Sequence, residues 1–553
     1  MKKEIILVLV PLISSICVFA QNVQLPQSAE NIELPDITTE IEGEDFKAES
    51  DSLPDFEDLL KIPYGSGAIV PELPDILVEE KEIDTEIISE EKKEKNIFSE
   101  ILLSGGYPLF FTGNCSIFGA DQVNPFKILF KFNSASGYGG HSVNENFSDK
   151  NINLIFEKKY QKDNFHWGFN TTYNYISNGL QMKSNIMNVM NQEVVNGNGI
   201  FDYDFNNGFS VGANLNLDLY NRYGNIIGDL DFPKWLKRNV IFSIEPEFYG
   251  KWTGYGFDCK FSFGYLGAFN SSENISGGSN NRGNFKFNLQ WTNDFITAFG
   301  DLAVVFGDKF NDSGEAGVLV PFSLGVNFNI PVYFSNRKVG VALEGGLDTY
   351  YNSINNLEYK YKFAALNEVP RETSFWYTKL NFAIPLKSTF SANGSIAYSK
   401  TAFNNGLWEP DYSDNSEENL FNGIYKIKEK EKQFLTTDFN ITYHYKMFSI
   451  KGGLHSNWFD IPELEGLQMI NLNVGIKDEK SKWGVNLFGE YNITKNWSLP
   501  VINLDCFVQI SPTIRITASL GDIITLFNNG QRIYAGNYVD RGFTGALELS
   551  LVL

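Results

Sequence analysis

The last thirteen residues, Arg541 to Leu553, read RGFTGALELSLVL. Side chains of an extended chain alternate with period two. Phe543, Gly545, Leu547, Leu549, Leu551 and Leu553 therefore share one side, and Thr544, Ala546, Glu548, Ser550 and Val552 the other. A closing strand with one oily and one largely polar side needs two different surroundings. Lipid outside and a wet lumen inside, as in an outer-membrane barrel, provide them.

The pattern recurs through most of the 553 residues. Phe165, Trp167, Phe169, Thr171, Tyr173 and Tyr175 alternate with His166, Asn170 and Asn174. Leu215, Leu217 and Leu219 alternate with Asn214, Asn216 and Asp218, and Phe285, Phe287, Leu289 and Trp291 form another row. Such alternation repeated many times reads as β-strands. It fits a soluble sandwich as well as a barrel, because only the direction of the faces differs. The connections separate the two. Short links near 159–164, 250–254 and 446–448 take turns with long ones near 176–200, 221–238, 352–374, 400–432 and 522–540. Outer-membrane barrels have short periplasmic turns and longer extracellular loops. The expected fold is all-β, a transmembrane antiparallel β-barrel of about 20–22 strands, spanning 97–553. Tyr173, Tyr175, Trp376 and Trp458, near strand ends, suit the interfacial girdles of such a barrel.

The first 96 residues have another texture. Residues 1–20 carry Lys2 and Lys3, an apolar run Ile5 to Ile16, and small residues before Gln21, the features of a cleaved signal peptide. Residues 21–96 are acidic, proline-bearing and almost free of aromatics, so they are expected to be a disordered periplasmic segment. Of the net charge of −22, residues 21–100 supply −17, from 23 Asp or Glu against 6 Lys. A balance this acidic argues against nucleic acid as a partner, since phosphates need Lys and Arg. A short phrase recurs in the segment: Leu34-Pro35-Asp36, Leu53-Pro54-Asp55 and Leu73-Pro74-Asp75. Each sets apolar residues around a stiff proline, a candidate docking motif for a periplasmic partner, and the bland alternative is a spacer of repetitive composition. Cys115, Cys259 and Cys506 lie far apart in strand-like runs and read as small apolar residues. There is no CxxC or Cys/His cluster, so neither metal nor other cofactor is expected.

The closing stretch, from Leu526-Phe527-Asn528 through Arg532, Tyr534 and Tyr538 to Arg541-Gly542-Phe543, resembles the last hairpin of TonB-dependent receptor barrels. The resemblance implies about 22 strands and a receptor-like transport role. It also implies a plug domain ahead of the barrel, and the sequence before Ile97 offers no recognisable one. Asp84 to Ser89, DTEIIS, faintly resembles the short box that such receptors present to TonB. A barrel this wide has an aqueous lumen unless something fills it. Inward-folded loops, another protein or the N-terminal segment would serve.

His166 and His444 occupy polar positions between aromatic neighbours, so both are candidate lumen-facing residues. No compact motif joins a nucleophile, a base and an orienting group, and an enzyme is not expected. The leading reading is a cell outer-membrane protein of a Gram-negative-type bacterium that passes or takes up a solute, as a receptor-like transporter or porin. Its expected partners are outer-membrane lipid and, through the C-terminal strand, the barrel-assembly machinery. The alternative is an adhesin or structural barrel whose long loops bind a partner.

Overall fold

A computed structural model describes residues 97–553 apart from 122, 139–146, 206, 227–233, 237, 271–278, 309–316, 332–337, 388, 494–498 and 528–531. The strands close into one antiparallel barrel of 22 strands, running from Ile97–Tyr107 to Thr544–Val552. Closure comes from the pairing of these two strands, in register from Glu100 opposite Val552 to Tyr107 opposite Gly545. One wall strand is broken. Gly317–Leu319 and Phe322–Pro331 both pair with Ile296–Gly307, and Pro321 stands at the break, where it has no N–H to give the ladder.

The oily rows point outward. Phe261 is 55 % exposed, Leu324 66 % and Leu547 62 %, whereas a sandwich would bury them between its sheets. Inside, polar side chains bond from strand to strand. Asn198 Nδ2 donates to Asn214 Oδ1 at 2.7 Å, Asn288 Nδ2 to Asp301 Oδ1 at 2.6 Å, and Ser323 Oγ to Asp301 Oδ2 at 2.9 Å. Cross-strand pairs of this kind satisfy polar groups that line the wall.

Both ends of the barrel domain lie at the tight-turn end, where Ser99 and Leu553 exchange backbone hydrogen bonds of 3.0 and 2.8 Å. Turns there are short because the chain accepts left-handed backbone. Tyr255 and Gly256 have φ of 53° and 80°, the two-residue geometry whose twist matches that of paired strands. The long links gather at the other end, including 351–372, 402–432, 460–467 and 522–543. The link between Ile97–Tyr107 and Phe110–Gly119 is the short exception on that side.

One expectation needs correction. The long link near 176–200 is only 180–186, because Met187–Asp204 is an 18-residue strand. Its upper half rises past the apolar belt, so Asn191 and Glu193 replace the oily row and hide the period. The next strand likewise runs on to Ile226. The wall is therefore uneven. These two strands have 18 residues each, while Ile514–Gly521 has 8 and Thr544–Val552 has 9. The signal peptide, the acidic segment with its Leu-Pro-Asp phrases, and DTEIIS all lie outside the described residues.

Candidate functional site

The long loops fold over the mouth and share one apolar core. Leu180 and Ile186 come from the first, Leu236 from the next, and Leu357, Tyr361 and Phe363 from 351–372. Trp408, Ile424, Tyr425 and Ile427 come from 402–432, and Ala535 and Tyr538 from 522–543. Leu180, Tyr361, Ile424, Tyr425 and Tyr538 are fully buried. Burial of this kind stabilises each side chain by about 1.5–3 kcal/mol, enough in sum to hold loops that are long and polar in sequence.

The deepest anchor is the short helix Ile354–Lys360, capped at its start by Ser353. Ser353 Oγ accepts the Asn356 N–H at 3.3 Å, satisfying one of the donors a helix leaves open at its first turn. The helix carries the fully buried Glu358 to strands Met187–Asp204 and Phe209–Ile226. Arg222 Nε lies 3.1 Å from Glu358 Oε2, and the Tyr220 hydroxyl donates to the same oxygen. Leu366 N donates to Glu358 Oε1 at 3.0 Å, and Gln192 Nε2 to the Glu358 carbonyl at 3.1 Å. Asn355 Nδ2 donates to Asp218 Oδ2. The loop springs from Lys338–Tyr350, and five strands of wall stand between that strand and Phe209–Ile226. The loop thus crosses the lumen to make these bonds. A cavity of about 20 Å³ remains beneath it, lined by Asp218, Ser243, Asn280 and Asn355 among others; that is room for about one water.

A second lock joins four loops. Ala364 and Ala365 pair in parallel with Tyr425 and Lys426. The Tyr538 ring stacks on Phe363 at 3.6 Å, with 3° between the planes, and its hydroxyl donates to the Gly423 carbonyl. Gln181 Nε2 donates to the Val539 carbonyl at 2.9 Å and its Oε1 accepts the Val539 N–H at 3.0 Å. Arg532, buried beside them, donates to Asp522 at 2.6 and 3.0 Å. Arg541 reaches the Pro108 carbonyl at 2.6 Å, tying the last loop to the barrel seam.

A third lock holds 460–467. Fully buried Glu409 accepts Lys432 Nζ at 2.7 Å, and its Oε2 accepts the Glu463 N–H at 3.2 Å. His455 Nδ1 lies 2.6 Å from Asp438 Oδ1, and Asn457 Nδ2 donates to Glu465 Oε2 at 2.9 Å. The Ser395 hydroxyl donates to Asp438 at 3.0 Å, so its proton points to the carboxylate and not to the imidazole. This set joins wall to loop. Burial, reinforced by the Glu409 charge, pushes the Glu463 carboxyl up to about 7. Burial also raises the Glu372 carboxyl, against the opposing pull of Arg282.

The two histidines singled out in the sequence sit apart from these locks. His166 is on Phe165–Gly179, on the face away from that of outward Phe169, with Nε2 3.2 Å from Asp204 Oδ2. His444 is exposed near the tight-turn end of Gln433–Tyr445, between outward Tyr443 and Tyr445. Neither meets the loop core. The residues that close the mouth escaped sequence reasoning, except Arg532, Tyr538 and Arg541 in the closing phrase. Of that phrase, Phe527 is 82 % exposed while Tyr538 is fully buried.

No protein-family model and no curated protein matches the chain. Solved structures do match its fold. The FrpB iron transporter from Neisseria meningitidis (F3-3 variant) is 9 % identical, with a TM-score of 0.63 over 83 % of this chain and 82 % of that one. The copper transporter OprC is 8 % identical, with a TM-score of 0.61 over 83 % and 80 %. A mutant of the ferric enterobactin receptor PfeA from Pseudomonas aeruginosa is also 8 % identical, at 0.59 over 83 % and 80 %. The likeness to TonB-dependent receptor barrels, read first from the closing hairpin, holds for the whole barrel at the level of fold.

Proposed function

We propose that this protein is an outer-membrane transport receptor whose own extracellular loops act as the gate. The reading rests on one observation: loops from well-separated strands bury a common core around Tyr361, Tyr425 and Tyr538. A lumen of this width is otherwise an aqueous channel, so a loop core across it serves to admit a solute only when the loops part. The neighbouring folds named as iron and copper transporters and as a ferric enterobactin receptor favour uptake over adhesion. On the same reading the chain is exported by residues 1–20, inserted through its C-terminal strand by the barrel-assembly machinery, and served from the periplasm through the Leu-Pro-Asp phrases.

Planar bilayers test the gate. The full chain should carry little ion current, and replacement of residues 354–366 by a glycine-serine linker should produce large, stable conductance steps. Silence from both forms, with the barrel shown to be folded, would refute a transport role.

A further inference from the structure

We propose that the outer wall carries a specific site for the sugar headgroup of an outer-leaflet glycolipid, centred on Glu193. The level is set by the apolar belt. On Phe209–Ile226 the outward residues run from exposed Phe209 up through exposed Leu215, Leu217 and Leu219. Eleven residues rising ~3.3 Å each, at the usual ~45° tilt, span about 26 Å, which is the height of the hydrocarbon band. The outward positions directly above are Asn221 and Tyr223. Headgroups, not acyl chains, meet the wall there.

At that level three strands assemble an outward polar and aromatic patch. Glu193 stands opposite Tyr175 on one side and Asn221 on the other, and Asn191 stands opposite Tyr223. Asn221 Nδ2 donates to Glu193 Oε2 at 2.8 Å, and the Tyr223 hydroxyl donates to Glu193 Oε1 at 2.9 Å. The Tyr175 hydroxyl donates to Asn191 Oδ1 at 3.2 Å, and Arg238 Nε donates to Asn221 Oδ1 at 3.0 Å. These bonds fix the side chains in place before any ligand arrives, which lowers the cost of binding. The chemistry selects the headgroup. The Glu193 carboxylate and the Arg238 guanidinium, joined through Asn221, offset each other, so the patch carries no net charge to hold a phosphate. Phenol hydroxyls and amides donate and accept from neutral hydroxyls, and the Tyr rings give a flat apolar face beside them. A hydroxyl-rich, uncharged headgroup satisfies all three conditions. The patch faces away from the loop core, so the inference does not depend on the transport reading.

The test uses the full chain in nanodiscs containing equal amounts of a monoglucosyl diacylglycerol and phosphatidylglycerol. Native mass spectrometry reads which lipid stays bound after release. The glycolipid is expected to be retained at least fivefold over the phospholipid, and the triple variant Tyr175→Phe, Glu193→Gln, Tyr223→Phe is expected to bring the ratio near one. The single variant Tyr175→Phe, which keeps both Glu193 bonds, guards against misfolding and should lower the ratio by a smaller step. Equal retention by the unaltered protein, preference for the phospholipid, or an undiminished ratio in the triple variant would overturn the site.

Discussion

Glu358→Ala isolates the bond between loop 351–372 and the barrel wall. Glu358 has no exposed side-chain surface and Arg222 only 1 %. Removing one member of such a pair leaves an uncompensated buried charge and costs about 3–5 kcal/mol. The Tyr220 hydroxyl and the Leu366 N–H also lose their acceptor. Divided by 1.36 kcal/mol per decade, the cost raises the open population of loop 351–372 by roughly two to four decades. The strands keep their ladders, so the barrel should still resist detergent at room temperature. Cleavage of a transiently open segment follows its open population when reclosing is fast. Limited proteolysis within 351–372 should therefore accelerate by about 100-fold or more, accompanied by flickering conductance in planar bilayers. A second variant separates charge from contact. Arg222→Met with Glu358→Leu replaces the pair by apolar groups, a change that is often close to neutral. It should recover part of the loss, the remainder reflecting the unsatisfied Tyr220 and Leu366 groups. Unchanged proteolysis in Glu358→Ala, or a double variant no better than the single, would refute the claim that this ion pair holds the gate.

Further outcomes concern the third lock, the seam and the belt. With its carboxyl raised to about 7, Glu463 favours the docked loop fully below the ordinary value of about 4.5 and loses that contribution as pH rises through 7. Cleavage within 460–467 should accelerate between pH 5 and 8, and Glu463→Gln should flatten the profile; an equally steep profile in the variant would assign the effect elsewhere. At the seam, a Cβ on Gly106 would fall 1.8 Å from the Gly545 carbonyl oxygen, so Gly106→Val should abolish the heat-modifiable shift on gels that marks a closed barrel. On the belt, exposed Leu215→Lys should destabilise by about 2–4 kcal/mol in lipid, the range for a lysine near the bilayer midplane. Lysine at the neighbouring inward Asn216 should cost far less, as urea titrations in vesicles would show.

The wall was largely legible in the sequence because lipid and lumen impose opposite polarity on successive residues. Rows such as Leu215, Leu217 and Leu219 carry that imprint wherever a strand lies within the belt. The signal stops where the strand leaves the membrane. At Glu193 and Asn191 the outer face turns polar, while the inner face, at Gln192 and Val194, packs against the loops, and Met187–Asp204 therefore read as a loop. The loop core left almost no local trace. Leu180, Tyr361, Tyr425 and Tyr538 come from loops that are polar overall, and their apolar side chains make sense only once the barrel brings them together. Glu358 was equally opaque. A glutamate in a polar loop reads as solvated surface, and only the arrival of Arg222 across the lumen makes it an anchor.

The unequal strand lengths have a consequence for the surrounding bilayer. Eight residues at the usual tilt cover only about 19 Å of membrane height, against a hydrocarbon band of about 25 Å. Lipids beside Ile514–Gly521 must shorten to match, while those beside the 18-residue strands meet a parapet rising well above them. The molecule behaves as an obliquely cut pipe, with a pinched, easily deformed sheet of lipid on one flank. Neighbouring barrels with their own thin flank would lower the deformation energy by pairing there, giving the protein a preferred side on which to cluster.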